Sequence, residues 1–426
     1  MPSGMTVVLA DRPTGRAALV ALAGAVEASP LCEKVELILA RGVPLVTKAV
    51  HQGLEGGGRV AVAWSFLSPE VAAVEGELAR ARAEVPASVL HLAGGAHATA
   101  DPGGTLALGF DLVARGEGES TLVALLGRLL AGADARGVPG LAWRASAGLG
   151  ISARPSPVAL DACPGYSRRL GKALALEITR GCAWACRFCQ TPFLHRARFR
   201  HRSVESARDF ARFAVSLGHR DLRLLTPSAL SYGAAGEEVR LEAVEGLLAA
   251  LRDELGPERR LFFGTFPSEL RPEHVTPRAL AVLKRFVDNR ELLVGAQSGS
   301  DRLLAELKRG HTVEDVTRAA RLAEEAGFRL SVDFIVGLPG EKPEDLAATR
   351  RLMAFLADGG ARIHAHAFLP LPGTPLGREP PGSIDRSTQA FLDRLGSRGR
   401  AFGSWRRQLE LGRILPLLRS GRHKEG

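Results

Sequence analysis

The sequence predicts an α/β protein in two parts, a Rossmann-like, doubly wound parallel sheet followed by a partial (β/α)6 barrel. Three observations carry this. Before residue 150, short continuous apolar runs alternate with helical stretches. Beyond residue 173 a second series of six such units follows, and Cys182, Cys186 and Cys189 sit just past its first strand. Strands buried on both faces read as continuous apolar runs, and parallel strands need crossover helices between them.

The first part, residues 1–150, offers strands at Thr6–Ala10, Val35–Ala40, Val60–Trp64, Val89–Ala93 and Leu112–Ala114. Helical stretches lie at Arg16–Ala28, Pro69–Glu84 and Ser120–Leu130. Ala17–Val26, behind Arg12 and Arg16, faintly imitates a secretory signal. A strand-like run and Asp11 precede it, so it reads as a first helix. Open parallel sheets bind ligands at the carboxyl ends of their strands. Those ends carry Ser65-Phe-Leu67, Gly94-Gly95 and Arg115-Gly-Glu-Gly-Glu119, and glycine there lets backbone approach a large ligand closely. Residues 151–172, rich in Pro, Gly, Ser and Ala, read as a linker.

The second part, residues 173–375, offers strands at Leu174–Thr179, Leu222–Thr226, Leu261–Phe266, Leu292–Gln297, Arg329–Val336 and Ile363–Leu369. Helices are expected over Ser203–Ser216, Glu237–Glu254, Pro277–Phe286, Thr312–Ala326 and Pro343–Leu356. Thr312-Val-Glu-Asp315 has the form of a capping box. Residues 376–426 are basic, helical over Phe402–Leu418, and read as a C-terminal cap or tail.

The cysteines form a C-x3-C-x2-C run within Glu177-Ile-Thr-Arg-Gly-Cys-Ala-Trp-Ala-Cys-Arg-Phe-Cys-Gln190. Three thiolates hold three corners of a [4Fe–4S] cluster and leave the fourth iron open to a chelating small molecule. A structural zinc would want a fourth Cys or His, and the nearby His195 and His201 lie in a very basic stretch. The alternative is three unrelated buried thiols. With Phe188 just before the third cysteine, the run resembles the radical S-adenosylmethionine (SAM) superfamily. The resemblance implies a cluster held by Cys182, Cys186 and Cys189 that cleaves SAM reductively to a 5′-deoxyadenosyl radical.

Ordered matches follow at later strand ends. Thr226-Pro-Ser228 stands where the family contacts the methionine amino group. Gly295-Ala-Gln-Ser-Gly-Ser300 resembles the E-S-G segment, with Gln297 in place of glutamate beside Ser298. A neutral amide still hydrogen-bonds the ribose or carboxylate, without a charged acceptor. Val336-Gly-Leu-Pro-Gly340, with Gly337, would bring backbone amides to the adenine, which Phe188 would flank. On the sixth strand His364, His366 and Phe368 share one face by the two-residue period. If that face looks into the barrel, His364 and His366 are candidates for work on the substrate. Pro370-Leu-Pro-Gly-Thr-Pro375 then closes the strand, as it does in cobalamin-type radical SAM proteins and in methylthiotransferases alike.

The first part resembles the cobalamin-binding domain found ahead of many radical SAM cores. Ser65, Leu67, Gly94 and Gly95 match two of its three elements, and Gly116, Glu117 and Gly118 join them as candidates on the fifth strand's loop. The third element, D-x-H-x-x-G, departs. Asp11-Arg-Pro-Thr-Gly15 puts Pro13 where the histidine would stand, so this loop offers cobalt no imidazole. Cobalamin is therefore the expected third cofactor beside the cluster and SAM, and cobalamin-assisted C-methylation the expected reaction. Alternatives are a cobalamin-independent rearrangement, an RNA methylthiotransferase, and a non-catalytic corrin or SAM sensor. Methylthiotransferases place three further cysteines in the N-terminal domain, whereas only Cys32 precedes residue 160 here.

Composition fits an intracellular enzyme. Cys32 and Cys163 are the only cysteines outside the motif, too few for a disulfide framework. No run approaches the roughly 20 apolar residues of a membrane span, so the expected location is the cytoplasm, away from membranes. The net charge of +10 is uneven, −1 over residues 1–160 and +11 over 161–426. His195–Arg202 and the tail after Phe391 carry much of it. A solvated surface is the favoured reading, and an RNA groove the disfavoured one, because aromatics are scarce and no nucleic-acid module is visible. The partners expected are a small-molecule substrate and a low-potential electron donor.

Overall fold

A computed structural model of the chain describes residues 4–146, 148–196 and 198–419. It falls into two compact units, chiefly Met1–Leu174 and Ala175–Pro416. Residues 420–426 of the basic tail lie outside the described residues.

In the first unit, β1 (Met5–Asp11), β2 (Val35–Arg41), β3 (Arg59–Ser65), β4 (Leu90–Gly94) and β5 (Leu112–Ala114) are parallel, in the order β2-β1-β3-β4-β5. Every residue of β1 is buried, as its continuous apolar run requires. Helices cover both faces. Leu19 and Val26 of Arg16–Glu27 pack with Leu122, Leu125 and Leu126 of Gly118–Leu130 on one side. Val46 and Val50 of Val43–Glu55 pack with Val74 and Leu78 of Val71–Glu84 on the other. Helix Val43–Glu55 lies outside the sequence expectation. Its Pro44 sits at the helix start, where a missing N–H costs nothing.

Two strands, β6 (Leu141–Ala145) and β7 (Gly148–Ile151), extend this sheet antiparallel beyond β5. The sequence expectation held five parallel strands only. β6 buries only Leu141 and Ala142 and the edge strand β7 is largely exposed, so neither carries the continuous apolar signature that marks the others. The segment expected as a linker packs on this same unit. Glu27 accepts hydrogen bonds from Ser167 Oγ and from Arg168 N at 2.8 Å, and Glu117 accepts one from Val158 N at 2.9 Å. Gly24 lies so close to the Tyr166 carbonyl that a Cβ would stand 2.0 Å from its oxygen.

The second unit holds β8 (Leu176–Glu177), β9 (Thr179–Arg180), β10 (Arg200–His201), β11 (Asp221–Leu225), β12 (Arg260–Phe262), β13 (Glu291–Gln297), β14 (Arg329–Val336), β15 (Arg362–Ala367) and β16 (Ala401–Phe402). Parallel pairing runs β12-β11-β8 and β13-β14-β15-β16, and parallel bridges Thr226–Ser268 and Leu270–Val294 continue the ladder between the two runs. Six strands therefore form the expected partial barrel. β9 and β10 pair antiparallel on either side of the cysteine loop. β16 comes from the expected tail and adds a strand beside β15.

Helix starts follow from capping. Ser203 Oγ accepts from Ser206 N at 3.2 Å, Thr276 Oγ1 caps the helix opening at Pro277, and Thr312 with Asp315 completes the capping box. The basic stretch is not all surface. Arg202 is 2% exposed, its guanidinium donating to the Glu177 carbonyl and Ser206 Oγ, while His201 bridges Thr179 Oγ1 and the Ala234 carbonyl.

Gly95, just past β4, has φ +95°, and a Cβ there would lie 2.9 Å from the Phe66 carbonyl oxygen. Gly95→Ala should destabilise the first unit by about 1–3 kcal/mol, read as a lower denaturant midpoint by tryptophan fluorescence. An unchanged midpoint would mean the backbone relaxes there.

Candidate functional site

The cysteine loop leaves β9 through Gly181, whose φ of +81° and closeness to the Arg198 carbonyl (2.0 Å from a Cβ) admit only glycine. The loop is fastened at its far end. Arg187 N donates to the Leu307 carbonyl, Leu376 N to the Arg187 carbonyl, and Gln190 Nε2 to the Pro372 carbonyl. The segment Pro370–Pro375 thus braces the cysteines rather than merely ending a strand. Cys182, Cys186 and Cys189 share one apolar pocket with Trp184, Phe199, Ala183 and Phe188.

Two buried cations attend it. The Arg271 guanidinium lies 3.5 Å over the Trp184 ring and donates to the Arg309 carbonyl. Arg309 Nη1 donates to Cys186 Sγ at 3.6 Å, and its Nη2 to Glu269 Oε1 at 2.7 Å and to the Gly295 carbonyl at 3.0 Å. Burial pushes the Cys182 thiol up to about 12 and Cys189 also upward. Protons are thus the default occupants of the Cys182 and Cys189 sulfurs, and a multivalent cation favours their thiolates. Among the described residues, the one set whose ligand atoms close to single-ion spacing is Asp333, His364 and His366, within 4.8 Å of one another. The three sulfurs are not so gathered, which suits a multi-iron cluster better than one zinc.

The residues singled out for SAM stand along the same rim. Thr226 follows β11, Gln297 ends β13 and Gly337 follows β14. Thr226 and Ser228 are buried and bonded locally, Thr226 Oγ1 to the Ser228 carbonyl and Ser228 Oγ to Ser231 Oγ. Gln297 is a non-glycine residue with φ +68°, at a register shift in β13, and its amide donates to Glu269 Oε1 at 3.5 Å. Ser298 is fully buried with its hydroxyl against Thr349 Oγ1, so its side chain is spent internally. Phe188 joins an apolar cluster with Leu303, Leu307, Leu338, Phe368, Leu376 and Ile335. His364 and His366 lie on one face of β15 as expected, alternating with buried Ile363, Ala365 and Ala367.

In the first unit Ser65 ends β3, Leu67 is 41% exposed, Gly94 ends β4 and Gly95 follows it. Gly116 N donates to Thr99 Oγ1, Glu117 holds the Val158 amide, and Gly118 opens a helix against Leu22. Around Pro13, Arg16 pairs with Asp11, and Arg12 pairs with Glu70 and Glu77. Sequence reasoning missed Arg309, Glu269, Arg271, Asp333 and Gln408. Only Asp333 left a local signal, as a lone carboxylate inside an apolar strand.

Removing the Arg309 cation strands Glu269, whose carboxyl burial already pushes upward and which Asp333 repels. Arg309→Met should cost about 3–5 kcal/mol, and Glu269→Gln in the same chain should restore part of it in a thermal melt. Glu341 offers a pH test. It accepts from Gly337 N and Leu338 N, and burial raises it to about 7 from 4.5. A raised carboxyl contributes stability that is complete below 4.5 and lost as pH rises through about 7. The stability of Glu341→Gln relative to wild type should therefore climb across that window, and a pH-independent difference would refute the assignment.

Residues 176–353 match the radical SAM superfamily. Two tRNA-2-methylthio-N(6)-dimethylallyladenosine synthases are 31% identical over 229 and 223 residues, from Saccharophagus degradans (53% of this chain, 48% of that one) and Zymomonas mobilis (50% and 47%). The chain spans about half the length of these curated relatives. Among solved structures, the radical SAM methyltransferase TsrM from Kitasatospora setae, with cobalamin and a [4Fe–4S] cluster bound, superposes with a TM-score of 0.68 at 20% identity, over 89% of this chain and 74% of that one. The cobalamin-dependent radical SAM enzyme OxsB with aqua-cobalamin gives 0.62 at 16% identity, over 82% and 52%. These likenesses are of fold. No helix of the described residues is long and apolar enough to cross a membrane. The match places residues 176–353, the three cysteines included, in the radical SAM superfamily, and the likeness of fold extends over the sheet ahead of them.

Proposed function

We propose that this chain is an enzyme that C-methylates a small-molecule substrate with cobalamin as the methyl carrier. The observation that carries the reading is the three-thiol pocket at the barrel rim, without a fourth protein ligand at single-ion spacing among the described residues. In the same chain stands a Rossmann-like sheet with glycines at its carboxyl edge. When bound, a [4Fe–4S] cluster supplies the electron that cleaves SAM, and a corrin supplies a transferable methyl group.

The chain's own residues then have defined tasks. Cys182, Cys186 and Cys189 hold the cluster, and Trp184 and Phe199 keep water from it. Arg309 and Arg271 offset the negative charge that thiolates bring into an apolar pocket. Backbone at Gly337, kept in shape by Glu341, and the amide of Gln297 would orient SAM, with Phe188 against the adenine and Thr226, Ser228 and the Ser298 backbone beside the methionine end. Ser65, Leu67, Gly94 and Gly95 would line the corrin edge, with Gly116, Glu117 and Gly118 behind it. No imidazole from the first loop would reach cobalt, because Pro13 stands there.

The second reading, an RNA methylthiotransferase, draws on the curated relatives. Against it, the chain has only Cys32 before residue 160, which cannot hold an auxiliary cluster.

Anaerobic purification after expression with cobalamin should yield about four irons and near-stoichiometric corrin per chain. Cys186→Ala should lose the iron and keep the corrin. SAM with dithionite should give 5′-deoxyadenosine only from the iron-loaded protein. Corrin-free protein that turns over normally would overturn the methyl-carrier role, and about eight irons would favour the methylthiotransferase.

A further inference from the structure

The Asp333, His364 and His366 group has ligand atoms close enough for a metal ion, yet its hydrogen bonds point elsewhere. His364 Nδ1 lies 2.8 Å from Asp333 Oδ1, which fixes the imidazole proton on Nδ1 and leaves the ring's lone pair on Nε2. Among the described residues, that Nε2 has no protein hydrogen-bond partner. His364 is braced by stacking on Phe402, with ring centres 4.4 Å apart and planes 5° from parallel, and Phe402 is backed by the Arg362 guanidinium.

His366 is fixed in the opposite tautomer. Gln408 Oε1 accepts from Ala367 N at 2.9 Å, so the end of the amide facing His366 Nδ1, at 3.3 Å, is its NH2. Flipping the amide would set two donors against each other at Ala367. His366 Nδ1 must therefore accept, and its proton sits on Nε2. A nitrogen that carries its proton cannot ligate a metal. Burial and the neighbouring His364 both lower His366, which keeps the ring neutral. The two rings meet edge to face with centres 4.1 Å apart.

These side chains share the barrel face used by the cysteine loop. Asp333 pairs with His364 and Ile335 with His366 in register, and Ile335 joins the apolar cluster that holds Phe188. Glu269, the partner of Arg309, acts on Asp333 electrostatically.

We propose that His364 and His366 form a paired recognition site, a basic Nε2 beside an Nε2–H donor, that reads a substrate edge carrying an ionisable N–H or O–H next to an acceptor. Imides and hydroxylated nitrogen heteroaromatics have such an edge. His366 donates to the acceptor. His364 takes the proton as the substrate N–H or O–H bond breaks heterolytically, the electron pair stays on the substrate heteroatom, and Asp333 faces the resulting imidazolium. The groups around the pair are Asp333, Glu269, His366 and, behind Phe402, Arg362. That this edge belongs to a substrate rests on the enzymatic reading above.

The test uses the full-length chain and diethyl pyrocarbonate, which attacks an unprotonated imidazole nitrogen, with each histidine followed by mass spectrometry. His364 should react about tenfold faster than His366, and Asp333→Asn should slow His364 by a similar factor. Gln408→Glu offers only acceptors, so it should turn His366 to the Nδ1–H tautomer and raise its reactivity about tenfold. This gain of reactivity cannot come from unfolding if the other histidines keep their rates. Equal rates in the wild type, no gain in Gln408→Glu, or protection of both rings by zinc would overturn the proposal in favour of packing or a metal site. None of these readouts depends on SAM cleavage, so a chain inactive towards SAM but showing this pattern would fail the enzymatic reading alone.

Discussion

Parallel strands joined by crossover helices leave every carboxyl end on one rim, and in this barrel that rim collects the cysteine loop and the segments singled out for SAM. The cysteine loop, the Thr226 turn, Gln297 and Gly337 follow different strands yet stand at the same end. The same constraint in the first unit places Ser65, Gly94, Gly95 and Gly116 along one edge. No other property of the fold brings residues more than a hundred positions apart to one place so economically.

Gathering groups at a buried rim raises an electrostatic difficulty. Burial pushes Cys182, Cys189 and Glu269 towards their neutral forms. Arg309 answers most of it, because one planar guanidinium reaches a thiol, a carboxylate and a backbone carbonyl at once. Arg271 supports it from below through the Arg309 carbonyl while covering Trp184. Lysine, with its donors on a single nitrogen, lacks the reach to span all three partners.

What was legible in the sequence is what is local. The cysteine spacing, the glycines at strand ends and the capping box are each contained within a few residues, and the long apolar strands announce themselves. What escaped requires knowing which strands are neighbours. Asp333 and His364 are 31 positions apart and meet only because β14 and β15 pair in one register. Gln408 reaches His366 from a segment that reads simply as basic tail, and β16 hides there for the same reason. The hairpin of β6 and β7 was missed because only Leu141 and Ala142 are buried and the rest, including nearly all of β7, carries no continuous apolar run. Arg202, by contrast, reads as surface charge and is buried. Type alone misleads where a side chain's hydrogen bonds are met inside.

The strapping of residues 151–172 onto the first unit has a consequence for biosynthesis. Glu27, Gly24 and Glu117 all find their partners before residue 175. The Rossmann-like sheet and its strap are therefore complete as soon as that length has left the ribosome. At about 5–20 residues per second the second unit, Ala175–Pro416, takes on the order of 10–50 s to follow. The first domain has time to close its core while the cysteines are only beginning to emerge. The first unit can thus close its core before the strands that follow the cysteines have been made.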